Sequence, residues 1–376
     1  MTDLRDELAT LPLVDHHVHG ALTRTPERSF FEHALNEGSP DPAPAGTSAW
    51  DCQLGFAIRA RCAPLLGLPV HAAPDDYWAR RVELGEDEVT RRLAGATGVG
   101  EWLLDTGFVG DLLHRPDAHA ALAGGRGHEV VRIEAVAEEL ARGGVAAGDF
   151  PDALRARLAE AAEHAVGFKT IVAYRAGFDL DWAPPSDGEV VRAAGEWLGS
   201  GTMRVSDPVL LRFGIHTALA LGRPLQFHVG FGDRDLDLHQ VNPLLLTDLL
   251  RRTAAADVPV MLLHCYPFHR EAGYLAQAFG NVYCDVGLAL NHVGVRSAAV
   301  VAESLELAPF GKVLFSSDAW GPAELHLLGA WLWRDAMATV LGSWVEAGAW
   351  SAGDALRVAR MIGSENARRV YRLPAG

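Results

Sequence analysis

Cysteine is scarce in this chain. Cys52, Cys62, Cys265 and Cys284 are spread over 376 residues with no C-x-x-C pair. Cys265 and Cys284 lie inside apolar runs and read as small core residues in a reducing compartment, not as a disulfide framework. Long apolar stretches are absent too, and none approaches the length of a membrane span. The opening MTDLRDELATLPLVD lacks the basic start and apolar centre of a secretory signal, so a cytoplasmic location is expected. Basic residues are outnumbered: 33 Lys and Arg face 48 Asp and Glu, a formal charge of −15. That balance argues against nucleic acid or an anionic membrane as partner. It leaves a small-molecule substrate and a possible homo-oligomer open. No G-x-G-x-x-G opens a helix, which removes the usual sign of an open dinucleotide-binding sheet. Internal repeats and low-complexity linkers are also missing, so residues 1–376 are read as a single domain.

What is present is a series of short Val/Ile/Leu-rich runs at 13–19, 102–106, 130–136, 168–175, 225–230, 260–266, 282–288 and 313–318. Runs that are apolar throughout, without alternation, suit parallel strands buried on both faces. Helical periodicity fills most of the gaps, as at 150–165, 208–221, 242–256 and 273–279. The pattern predicts a (β/α)₈ barrel of the α/β class. Residues 20–95 break the rhythm, with about 80 residues between the first two strands. Pro40–Gly46 is a loop, whereas 49–66 and 75–84 look helical. This helical insertion is expected at the barrel's active end, as a lid, a pocket wall or a dimer interface. A closing helical segment is expected at 351–371.

Chemistry gathers at the ends of the runs. Asp15-His16-His17-Val18-His19 closes the first, and alternation puts His17 and His19 on one face, roughly 6.6 Å apart along the backbone. Two imidazoles so placed can grip one divalent ion. Asp15 lies deeper on that face and His16 points away, as supporting or packing residues. His228 and His264 end the fifth and sixth runs. Each alone reads as a hydrogen-bonded core histidine, but together with the first pair they indicate a site. Asp318 ends the eighth, where a buried carboxylate must be paired or metal-bound to offset desolvation; alone it would serve equally as a helix cap.

The order D-x-H-x-H, then His, His and Asp at strand ends, resembles the amidohydrolase superfamily. Within it the chain is similar to the amidohydrolase-related branch, which includes decarboxylases as well as hydrolases. FKTIVAYRAGFDL, FHVGFGDRDLDL, HCYPFHREAGYLAQAFGNVYCDVGLAL and KVLFSSDAWGPAELHLLGA resemble the barrel domain associated with glutamine-synthetase-like proteins, and IGSENARRVYRL resembles the superfamily's last helix. The resemblance implies metal ligands His17, His19, His228 and Asp318. It implies one divalent ion per chain, zinc before manganese or iron. His264 and Asp318 become the catalytic pair: Asp318 moves the proton of the attacking water and His264 orients or polarises the scissile carbonyl. Binuclear relatives bridge two metals with a carboxylated lysine on strand four. Lys169 lies on that strand but near its start, where pairing with Glu134 is the alternative. Lys169 and Arg175 are the candidate substrate-binding residues, Arg175 as a carboxylate clamp or as a surface ion pair. The implied reaction is hydrolysis of a C–N bond, for instance in a γ-glutamyl amide or a related nitrogenous compound. Non-oxidative decarboxylation on the same scaffold and an inactive metal-binding module are the alternatives.

Overall fold

Seven of the eight runs become parallel strands, hydrogen-bonded in chain order: β1 (Leu13–Val18), β2 (Val99–Asp105), β3 (Arg126–Arg132), β4 (Gly167–Thr170), β5 (Leu225–His228), β6 (Val260–Leu263) and β7 (Val282–Cys284). They are seen in a computed structural model that describes residues 2–39 and 41–374. The eighth run, 313–318, is extended without being a regular strand. It lies between β7 and β1: Leu314 N donates to Cys284 O (3.0 Å), His16 N to Phe315 O (3.2 Å) and Asp318 N to His17 O (3.1 Å). Phe315 N turns away to Ile362 O (3.0 Å), which interrupts the ladder. With this eighth stave the sheet closes as a (β/α)₈ barrel.

Two expected strands are displaced. β3 reads RGHEVVR and is only partly buried, so its polar first half escapes a search for apolar runs. The Ile133-Glu134-Ala135-Val136 segment belongs instead to the helix Ile133–Arg142. Likewise β4 stops at Thr170, and Val172–Arg175 forms one helical turn at the barrel mouth. Elsewhere local chemistry sets the boundaries as expected. The helix Asp187–Gly199 starts from a capping box, with Ser186 and Glu189 each satisfying the other's backbone N–H. The helix Pro208–Ala220 starts from an Asp207 cap followed by proline.

The barrel floor is apolar. Val14, Leu103, Val130, Met261, Leu263 and Leu314 pack together inside it, and the last helix, Asn366–Tyr371, stops the lower end with Val370 and Tyr371. A larger core lies between strands and outer helices. The 20–95 segment carries the helices Arg28–His33, Gln53–Ala57, Pro74–Leu84 and Glu86–Leu93. Pro40, first residue of the expected loop, lies outside the described residues. The segment is tied to the long helix Ala323–Glu346 by a buried ion cluster. Arg81 donates to both Glu86 oxygens (2.6 Å each) and to Glu324 Oε1 (3.0 Å), which also accepts from the Tyr77 hydroxyl (2.9 Å). All four cysteines are free thiols, and Cys62, Cys265 and Cys284 are buried. Among the described residues, no helix is long and apolar enough to cross a membrane.

Candidate metal centre

Strand ends bring His17, His19, His228, His264 and Asp318 to one mouth of the barrel. The hydrogen bonds on the far side of each ring fix what the near side offers. Gln226, in the middle of β5, donates through its amide nitrogen to His16 O and the Tyr371 hydroxyl (2.8 Å each). Its oxygen must therefore accept from His17 Nδ1, at 2.9 Å. His19 Nδ1 donates to Asp105 O (3.1 Å) and His264 Nδ1 to Val229 O (2.9 Å). With each Nδ1 proton so engaged, a neutral ring presents its Nε2 lone pair to the mouth.

Those lone pairs converge on a carboxylate. His17 Nε2 lies 2.9 Å and His19 Nε2 3.6 Å from Asp318 Oδ1, and His264 Nε2 lies 3.5 Å from Oδ2. One donor atom each from His17, His264 and Asp318 lie within 4.8 Å of one another. His228 stands just outside that triad, its ring 4.3 Å from that of His264, and its buried Nε2 has no partner. His264 Nε2 is likewise buried without a hydrogen-bond partner. Desolvation pushes His17 down to about 3 and lowers His264 and His228 as well, Lys169 adding to each shift. Desolvation opposes the charge of Asp318, yet its histidine neighbours hold it well below the usual carboxylate range. With their Nδ1 protons engaged elsewhere, these rings turn lone pairs towards the same point as the Asp318 carboxylate, an arrangement that a cation among them would satisfy. The donor set therefore fits a divalent ion, held by nitrogen and carboxylate ligands of the kind zinc prefers. It offers five donors where a mononuclear catalytic site uses three or four.

The backbone is strained at two of these residues. His264 and Asp318 have φ of 42° and 48°, a left-handed conformation that costs non-glycine residues about 1–3 kcal/mol. Gly232 allows a close approach in the neighbouring loop, since a Cβ there would sit 2.0 Å from Tyr174 Oη and 3.1 Å from His228 Nε2.

Supporting residues surround the donors. Asp15 accepts from Ser317 N (2.9 Å) and Ser317 Oγ (2.5 Å), holding the strand that delivers Asp318. Burial pushes the Asp15 carboxyl up to about 8, against those bonds. His16 does not merely face away: a register shift between Asp15 and Val18 lets it bond Asp285 (3.0 Å) and the Tyr371 hydroxyl (3.1 Å). Asp285 also accepts from His264 N (2.9 Å). Gln226 and Asp285 were not among the expected residues. Their signal was available, as a polar side chain within or directly after an otherwise apolar strand.

Lys169 does not pair with Glu134, whose carboxylate accepts instead from Thr170 Oγ1 (2.6 Å) and Ile171 N (3.0 Å). The ammonium of Lys169 lies 3.2 Å from His17 Nε2, on the floor of the centre, and burial lowers it to about 8. Arg175 is neither a free clamp nor a surface pair. It is buried against Glu138 (3.0 Å), and its Nε–H has no partner. Above the centre opens a cavity of about 670 Å³. Its walls include Phe30 and Glu37 from the insertion, Phe108, Tyr174 and Trp320 from barrel loops, and Arg132, which is paired to Asp105 (2.6 Å).

Comparison with known proteins now gives this geometry a family. The amidohydrolase family model matches residues 116–373. The chain belongs to the amidohydrolase family. As an amidohydrolase it is a metal-dependent hydrolase. Over 99% of both chains it superposes on a Lactobacillus casei ATCC 334 protein described, by inference, as a metal-dependent hydrolase (TM-score 0.88, 29% identity). It is 27% identical to protein fluG of Emericella nidulans, matching across 99% of its own length but 47% of fluG, so it spans about half of that relative. A uronate isomerase of Bacillus halodurans C-125 shares the fold alone (TM-score 0.64, 13% identity, 98% and 95% of the two chains).

Proposed function

We propose that this amidohydrolase cleaves a C–N amide bond of a small polar, carboxylate-bearing substrate. The observation that carries the reading is the convergence of histidine lone pairs on the Asp318 carboxylate at the base of the cavity. His17, His19, His228 and Asp318 would hold one divalent ion, zinc on the chemistry of this donor set, with manganese and iron next. When bound, such an ion supplies Lewis acidity and brings the pKa of water from about 15.7 towards roughly 7. Asp318, kept ionised by its histidine neighbours, takes the proton of the attacking water on a carboxylate oxygen and returns it to the leaving nitrogen. His264, fixed by Val229 O and Asp285, presents Nε2 to orient the scissile carbonyl. Lys169 supplies positive charge for a substrate carboxylate, and Arg175, its charge matched by Glu138, offers only its unsatisfied Nε–H.

The test is metal analysis of the purified chain followed by a paired screen of amides and carboxylates. One equivalent of metal and release of an amine support the proposal. Carbon dioxide without amine would replace hydrolysis by decarboxylation. Two equivalents would move Lys169 from substrate binding to a metal-bridging role.

A further inference from the structure

The centre is rich in lone pairs and short of protons. His17, His19 and His264 have their Nδ1–H groups engaged by Gln226, Asp105 O and Val229 O, and Asp318 is an anion. Lys169 is turned to His17, and Arg132 is matched to Asp105. A carbonyl oxygen that gains negative charge during amide cleavage needs a hydrogen-bond donor beside it. Tyr174 brings one. It stands in the turn Val172–Arg175, directly after β4, and lines the cavity. β4 and β5 pair with Thr170 opposite Phe227, so that turn lies beside His228 at the end of β5. The ring centroids of Tyr174 and His228 are 4.4 Å apart.

Ring packing alone would be served as well by phenylalanine; the hydroxyl is what the surroundings accommodate. Gly232 lies in the connection after β5, and its φ is not in the left-handed region, so conformation does not demand glycine there. Space does: a Cβ would sit 2.0 Å from Tyr174 Oη and 3.1 Å from His228 Nε2. Both atoms therefore face one point, and they lie no further apart than the sum of those lengths. His228 Nε2 is itself buried without a partner. Among the described residues no acceptor takes the Tyr174 O–H, while Arg204 holds the backbone of the residue by donating to Tyr174 O (3.0 Å). A phenol is protonated at neutral pH, and burial pushes this one higher still. The result is a fixed and free proton donor beside an unpartnered imidazole nitrogen.

We propose that Tyr174 is a catalytic residue of the hydrolysis, its hydroxyl donating to the carbonyl oxygen of the scissile amide. This rests on the hydrolase reading for the bond that is cleaved. As the water oxygen bonds to the carbonyl carbon, the C=O π pair moves onto oxygen and is met by the Tyr174 O–H, which keeps its proton. When that pair returns to remake C=O, the C–N bond breaks and the nitrogen takes up the proton held by Asp318. The donor is tested without turnover. The zinc-loaded full chain is titrated by calorimetry with methylphosphonate, a stable tetrahedral anion. Expected is saturable binding that weakens about ten-fold or more in Tyr174→Phe, the loss of one hydrogen bond to a charged group. Zinc affinity, read by competition with a chelator, should stay at the wild-type level. Equal methylphosphonate affinity in the two chains, no saturable binding by the wild type, or weakened zinc binding in Tyr174→Phe would each overturn the assignment. On an amide substrate found by screening, Tyr174→Phe should lower kcat about 10²–10³-fold with KM little changed; an unchanged kcat would overturn it too. If no amide is cleaved but methylphosphonate still separates the two chains, the proposed reaction falls and the Tyr174 donor stands.

Discussion

Gln226→Leu is the most informative single change, because Gln226 touches the metal centre only through His17. The substitution keeps the side chain's approximate volume inside β5 and removes three hydrogen bonds: from His17 Nδ1 (2.9 Å), to His16 O (2.8 Å) and to the Tyr371 hydroxyl (2.8 Å). Tyr371 and His16 remain partners to each other (3.1 Å), so two groups, His17 Nδ1–H and His16 O, are left short of a partner. At about 1–3 kcal/mol for each buried unsatisfied group, the apo chain should lose about 2–6 kcal/mol. Metal affinity should fall separately, because the His17 ring loses both its tautomer and its aim. Removal of such orienting partners typically weakens metal binding about 10–100-fold. Urea unfolding of the apo chain reads the first effect, and competition with a zinc chelator reads the second. Tyr371→Phe is the control: it removes a bond to Gln226 but leaves the Gln226–His17 contact, so stability should fall while zinc affinity stays at the wild-type level. Wild-type zinc affinity in folded Gln226→Leu would refute the argument that Gln226 sets the direction of the His17 lone pair.

His264→Asn should keep one equivalent of metal and lose turnover by about 10²–10⁴-fold, the usual range for a general acid–base group; loss of the metal would instead make His264 a ligand. Arg81→Leu strands Glu86 and Glu324 in the interior and should lower stability by about 3–5 kcal/mol, read as a shift in urea midpoint; an unchanged midpoint would show that the insertion is held by something else. Burial holds His326 at about 4 against an ordinary 6.5. Between those values the unfolded chain takes up a proton that the folded chain refuses. Stability must therefore fall as pH drops through that window, by up to about 3 kcal/mol from this residue. His326→Asn should flatten the fall measured by unfolding at successive pH values, and an unaltered slope would count against it.

How far the sequence could be read depended on what each residue faced. β1, β5 and β6 are buried on both sides, so their composition alone announced them. β3 is polar and half-exposed, and its start was invisible to the same criterion. The 168–175 run was continuous in hydrophobicity although the backbone changes from strand to helix within it, and hydrophobicity carries no mark of that change. At 313–318 the residues were placed correctly between β7 and β1, but the partner of Phe315 N is Ile362 O, a contact no local pattern contains. The gathering of His17, His19, His228, His264 and Asp318 at one mouth was legible because they end apolar runs. Glu37 was not, because it lies in an irregular segment and reaches the cavity wall only through the fold.

The bond between His16 and Tyr371 spans 355 positions and that between Asp15 and Ser317 spans 302. During synthesis the histidines of β1 leave the ribosome long before either counterpart exists. Until Tyr371 has emerged, Gln226 lacks one of its acceptors, and until Asp318 has emerged the imidazoles face no carboxylate. Competence to capture the ion is thus deferred until residues 318–371 have been made, and a nascent chain stopped before them displays histidines without a centre.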